Sequence, residues 1–262
     1  MVVLVAGLWM LFSASWVTLP FRLLVTLVHE ANHAVAVELV GGDVEYVIVN
    51  EHGGGLTSWK IDSEPSDTDI LLVASAGYLG TAVIGALLIE GAARLRRGRV
   101  AAFSLAALVA AIGLAWVPMR VEPDAFAAAG TGSSSGDGRF TVLVCCLAVA
   151  ALIGIGLQPS VRLRRLSITA LATTLCLGSV DDLRQVLDWS SRGGHSDAAI
   201  AAEFSPLSSW MWAAIWLLFG VGACALGLWS AVSKGRPPAG VDGSPDPFAA
   251  MPTLADGERR ER

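Results

Sequence analysis

Residues 21–42 read FRLLVTLVHEANHAVAVELVGG, a run apolar and long enough to cross a membrane that nevertheless holds His29, Glu30 and His33 near its middle. Crossing about 30 Å of hydrocarbon takes roughly 17 to 25 residues. Ionisable groups are costly at that depth and mark a functional site by default. On a helix His29 and His33 are four residues apart, one above the other on one face, where both imidazoles reach a single metal ion. Glu30 lies beside them, placed to take a proton from a water held there. Histidines also hydrogen-bond between helices with no metal involved. Three polar groups at HExxH spacing inside a lipid-compatible run favour the metal reading.

The rest of the chain is consistent with a membrane setting. Of 262 residues 54% are hydrophobic and 16% charged, with a mean hydropathy of +0.60, whereas a soluble domain carries about 25% charged residues. The formal net charge of −5 is uninformative about partners, because charge in such a protein is sorted by membrane side. No basic run with interleaved aromatics points to nucleic acid. Cys145, Cys146, Cys176 and Cys224 all lie in apolar runs without a CxxC pair, which is how small packing residues are placed rather than metal ligands or a disulfide framework.

Apolar runs near 2–18, 21–41, 69–93, 100–118, 140–158 and 207–232, with a weaker one at 166–180, predict a mainly α, polytopic transmembrane protein of six to seven spans. The opening MVVLVAGLWMLF has no Lys or Arg ahead of it and reads as a retained first span rather than a signal peptide. Pro20 favours a break after it. RLRRGR (94–99), RLRR (162–165) and the tail with Lys234 and Arg236 fall on one side of this alternation. Segment 42–68, with Asp43, Glu45, Glu51, Asp62, Glu64 and Asp67 against Lys60, falls on the other. The positive-inside rule then predicts a cytoplasmic C-terminus and an N-terminus outside. Residues 1–232 form the membrane-embedded domain, AAAGTGSSSGDG (127–138) a flexible loop, and 233–262 a disordered cytoplasmic tail.

After the second run, GGDVEYVIVNEHGGGLTSW predicts a strand through Val44, Tyr46 and Ile48, a turn at Gly53–Gly55, and a returning strand. Such a hairpin offers an edge for an extended peptide, with Gly54, Gly55 and Thr57 as candidate substrate-binding residues. In ASAGYLGTAVIGALL (74–88), Ala76, Gly80, Thr81 and Gly85 put small residues four apart, either for ordinary tight packing or for close approach to the metal-bearing helix.

A zinc site of this kind takes three protein ligands and keeps one position open. Apart from Glu30, Glu38 is the nearest carboxylate, but at about 100° per residue it points away from the histidines. SVDDLRQVLD (179–188) offers Asp181 and Asp182, and GGHSDAAIAAEF (193–204) offers His195 and Asp197. Against the second, Ser196 or Asp197 would serve equally as the cap of a short helix. The predicted topology also leaves 181–206 outside, while the histidines lie roughly 12 to 18 Å along their span. Segment 190–206 must therefore dip inward, or the metal lies nearer the surface.

The HExxH run on a span, GG.V..V, a GGG.T.W hairpin, an AGYLG span and a late SDA before the last span together resemble the site-2-protease class of intramembrane zinc metalloproteases, in its small bacterial M50B-like branch. The resemblance covers most of residues 21–232. It implies zinc held by His29 and His33 with Glu30 as general base, matches Asp197 to the aspartate of SDA as third ligand, and implies a bacterial plasma membrane. The chain departs from better-studied members in three ways. Its only DG dipeptides are at 137–138, 242–243 and 256–257, Asn32 replaces the usual Gly before the second histidine, and no PDZ-like insert is present.

The expectation is a zinc-dependent metalloendopeptidase acting on membrane-protein or peptide substrates in the lipid bilayer. The rivals are a catalytically inactive metal-binding scaffold and an ion-pathway transporter, the latter disfavoured because charge inside the runs is nearly confined to the HExxH helix. Imidazole and carboxylate ligands also accept iron or cobalt.

Overall fold

The computed structural model describes residues 18–60, 64–93, 97–118, 138–189 and 196–233. Almost all of the 2–18 run, the 127–138 loop and the 233–262 tail lies outside them, as does His195. Among the described residues the chain is mainly helical, in the order α1 (Leu19–Leu39), β1 (Asp43–Val49), β2 (Gly55–Lys60), α2 (Asp67–Ala93), α3 (Arg97–Trp116), α4 (Gly138–Leu157), α5 (Val161–Trp189), α6 (Asp197–Glu203) and α7 (Ser209–Ser233).

Local chemistry explains the boundaries. Pro20 sits in the first turn of α1, where its missing N–H costs nothing. At the other end Gly41 takes φ +80°. Its N–H reaches Glu38 O at 3.2 Å while Gly42 N–H reaches Val37 O at 2.9 Å, the paired closure that stops a helix. Ser66 and Asp69 form a reciprocal box at the start of α2, Asp69 N–H donating to Ser66 Oγ at 3.2 Å and Ser66 N–H to Asp69 Oδ2 at 3.0 Å.

Helix α2 is the hub of the bundle and packs against α1, α3, α5, α6 and α7. Helix α1 is buried on most of its circumference, from Leu23 and Leu24 through Leu27, Val28 and Ala31 to Ala36 and Val37. A helix closed in on nearly all sides belongs to the bundle interior, and that is how it carries polar groups without presenting them to lipid. Helices α2, α3, α4 and α7 are long and apolar enough to cross a membrane. Helices α1 and α5 match them in length, at 21 and 29 residues, but not in apolarity: α1 carries the HExxH residues, and α5 carries Arg162, Arg164 and Arg165 at its start and Asp181 and Asp182 near its end. RLRR (162–165), read from sequence as a connector, is thus the first turn of a helix extending well beyond the weak 166–180 run.

The two strands pair antiparallel with Val47 opposite Thr57 and Val49 opposite Gly55, and with a bulge between Val44 and Tyr46. Beyond the bulge both faces of β1 are covered: Val47 and Val49 join the main core, and Ile48 is buried on the other face beside Tyr46 and Leu56. The turn spans Asn50–Gly54 rather than the expected Gly53–Gly55, so Gly55 already belongs to β2, and Asn50 Oδ1 accepts from His52 N–H at 3.0 Å and Gly54 N–H at 2.9 Å. The hairpin folds back along α1. Its tip lies beside the first turns of that helix, where Thr26 Oγ1 donates to Gly53 O at 2.8 Å and the Arg22 guanidinium donates to His52 O. On its outer edge β1 meets α4, Val49 N–H donating to Thr141 Oγ1 at 3.0 Å. Strand β2 pairs with no other strand among the described residues.

Candidate metal centre

His29 and His33, on successive turns of α1, converge with Asp197, the first residue of α6. Asp197 Oδ2 lies 3.2 Å from His29 Nε2 and 3.3 Å from His33 Nε2, and the two imidazole nitrogens are 2.9 Å apart. His33 Nδ1 donates to the carbonyl of Val73 on α2 at 2.7 Å. That bond fixes the tautomer and leaves Nε2 of a neutral His33 with its lone pair toward the other two groups, the arrangement of ligating histidines. Three electron-pair donors this close are held together by a cation or a shared proton between them. With two imidazoles and one carboxylate, the set fits a divalent metal of zinc type. Among the described residues no other group of His, Cys, Asp or Glu converges in this way.

The surroundings are built to the same end. A Cβ at Gly77 would strike both imidazoles, so only glycine lets α2 approach the ligands this closely. A Cβ at Gly80 would strike the Asn32 amide, while one at Gly85 would meet Cys176 Sγ at 2.6 Å. The small-residue stripe therefore allows close approach to α1 at Gly80 and tight packing on α5 at Gly85. Asn32 Nδ2 donates to Val28 O at 2.7 Å and approaches Thr81 Oγ1 at 3.4 Å, so the residue replacing the usual glycine is accommodated against α2.

Helix α6 has only seven residues, too short to persist alone. Ser196 Oγ accepts from Ala199 N–H at 3.2 Å and is its cap. Capping falls to the serine, and the aspartate next to it is turned to the histidines. Ala198 and Ala201 are fully buried against Ala74 and Tyr78 of α2 and Ala213 and Trp216 of α7. Ala74 and Trp216 each lie seven residues into their helices, about 10 Å from the ends, so residues 197–203 pack alongside the bodies of α2 and α7 rather than beyond their ends. Tyr78 stands edge-on to His29 with centroids 4.5 Å apart and stacks on Trp216 at 4.4 Å. Trp216 Nε1 donates to Ser75 Oγ at 3.3 Å, and Trp212 Nε1 to Ser205 Oγ at 2.8 Å, tying the end of α6 to α7.

Glu30 is buried on the hairpin side of α1, and Thr57 Oγ1 donates to its Oε2 at 2.7 Å. Gly55 and Thr57 thus face the carboxylate, whereas Gly54 abuts the Asn50 amide at the tip. Glu38 is exposed and takes no part in the cluster. Asp181 and Asp182 lie within α5, with side chains outside the described residues. The sequence reading did not anticipate the Val73 carbonyl, Gly77, or the Tyr78–Trp216 stack. The AGYLG motif contains two of them but does not reveal which neighbour each one meets.

The four cysteines form no disulfide, and Cys145 and Cys176 are buried as packing residues. A family model described as Peptidase M50B-like matches residues 1–122 and 138–227. No curated protein matches the chain, and no solved structure matches it. With most of its length covered by that family, and four helices apolar enough to cross a membrane, the chain is an integral membrane member of the Peptidase M50B-like family.

Proposed function

We propose that this protein is an intramembrane zinc endopeptidase that hydrolyses peptide bonds of membrane-associated substrates. The observation that carries the reading is the meeting of His29, His33 and Asp197 from opposite ends of the chain, with Glu30 one residue from the first ligand. Zinc in a two-histidine, one-carboxylate set supplies Lewis acidity, polarising a carbonyl and making water nucleophilic near neutral pH. Glu30 is the group to accept the proton from attacking water and return it to the leaving amine. His33, anchored by Val73, and Asp197, anchored through the cap at Ser196, fix the geometry in advance. Asp197 is the most exposed of the three at 26%, against 13% for His29 and 7% for His33.

A substrate segment would add to β2 as a further strand, running past Gly54, Gly55 and Thr57 beside Glu30. Arg165 Nε donates to Ala92 O at 2.9 Å, which brings the Arg-rich start of α5 to the end of α2, and these ends are taken to face the cytoplasm of a bacterial cell.

The test is metal content and turnover in detergent-purified wild type, Glu30→Gln, His29→Ala and Asp197→Ala. About one zinc per chain is expected in wild type and Glu30→Gln and little in the other two, with cleavage only in wild type. Absence of stoichiometric zinc from wild type would sink the proposal. Zinc without any turnover would leave the inactive metal-binding scaffold.

A further inference from the structure

We propose that Thr57 is a positioning residue for the Glu30 carboxylate, so that the hairpin is part of the base as well as a platform for substrate. The inference rests on the peptidase reading only in calling Glu30 a base. Thr57 Oγ1 lies 2.7 Å from Glu30 Oε2 and 3.0 Å from Glu30 O. A hydroxyl has a single proton to give, and the shorter of the two contacts is to Oε2, so the proton goes to the carboxylate. On the other oxygen, a Cβ at Gly55 would come within 2.5 Å of Oε1 and 2.6 Å of Thr26 Cγ2. The hairpin backbone therefore lies directly against the carboxylate, and both of its oxygens meet β2, one at Gly55 and the other at Thr57.

The hairpin holding Thr57 is itself gripped by the same helix. Arg22 donates to His52 O, Thr26 to Gly53 O, and Glu30 receives Thr57. Residues 22, 26 and 30 are four apart and share one face of α1. His29 and His33 lie on the adjoining face, toward Asp197. One helix thus carries two functional stripes, one for the metal and one for the strand that aims the base. A general base works only within hydrogen-bond reach of its proton, and a glutamate has a broad terminal torsion that must be fixed from outside. Thr57 does this from β2, which pairs with no strand but β1 among the described residues. Its hydroxyl proton is then not available to bind peptide, which separates this role from that of a substrate contact.

The experiment uses the full chain in detergent, with Thr57→Val, Thr57→Ser, Thr57→Ala and Glu30→Gln beside wild type. The probe is a fluorescence-quenched Leu/Ala peptide of about 20 residues, long enough to span. Removing the hydroxyl is expected to lower kcat roughly 10- to 100-fold, the usual loss when a group orienting a metal-site residue is removed. KM and zinc per chain should stay unchanged, and serine should restore most of kcat. In infrared difference spectra, the carboxylate band missing from Glu30→Gln should shift in the valine and alanine variants and not in the serine one. A raised KM at constant kcat would overturn the proposal by making Thr57 a substrate contact, as would full kcat in both hydroxyl-free variants. If wild type itself never cleaves the probe, the peptidase reading loses its support. The infrared band then decides alone: a shift upholds the orientation of Glu30 by Thr57, and an unshifted band overturns it.

Discussion

Gly77 shows how much of this site depends on an absent side chain. Alanine normally stabilises a helix interior over glycine by about 0.5–1 kcal/mol. Here the added methyl would collide with both imidazoles. Gly77→Ala should therefore move two quantities in opposite directions, leaving helix content and thermal stability of the metal-free protein equal or higher while zinc affinity falls. We expect a loss of at least about tenfold, comparable to removing an outer-shell partner of a ligand, read by titration against a chelating dye. Wild-type affinity in this variant would show that α2 can withdraw from the ligands, and that its close approach is not required. The histidines could be found from sequence because HExxH spacing is a property of one helix. Gly77 could not, because its role is a distance between two helices, and the recognisable AGYLG motif specifies neither the partner helix nor the face.

Between single residues and the bundle stands α6, an element with almost no stability of its own. It has seven residues, an alanine-rich buried face and one side-chain cap. Removing an N-cap costs about 1 kcal/mol, and at this length there is no helical reserve to absorb the loss. Ser196→Ala should loosen the turn that presents Asp197 and weaken zinc binding by about fivefold, the equivalent of that free energy at 25 °C. Ser196→Asp should restore it, since aspartate caps as well as serine. A chelator titration that finds the alanine variant unchanged would show that packing on Tyr78 and Trp216 alone fixes Asp197. The sequence presents the cap and the ligand as competing uses of one SDA motif. They prove compatible because the cap residue and the first helical residue point different ways. The hairpin was legible in composition, but its bulge was not, and neither was the burial of both faces of β1: Val47 and Val49 enter the helical core, while Ile48 is covered on the other face beside Tyr46 and Leu56.

Taken whole, the molecule joins two ends of a long chain through one small site. His29 and Asp197 are 168 positions apart, and a bound metal would close that separation as a clip. A ligand that binds only the folded state stabilises it by about 2.7 kcal/mol at a free concentration one hundred times its Kd. The effect of removing it should be uneven, because the two partners are not equally held. Helix α1 is buried along most of its circumference and keeps its packing and its grip on the hairpin without metal. Among the described residues helix α6 keeps its alanine contacts, the Ser196 cap and the Ser205 hydroxyl that bridges Ala201 O and Trp212 Nε1. Treating zinc-loaded protein with a chelator should therefore raise amide hydrogen exchange in residues 197–203 while leaving residues 23–37 protected. Asp197→Ala should reproduce the exchange pattern of the stripped protein with zinc present. An equal rise in both helices would mean that the metal holds the whole bundle together. No rise in either would mean that α6 is fixed by its aromatic neighbours, and that Asp197 waits in place before the metal arrives.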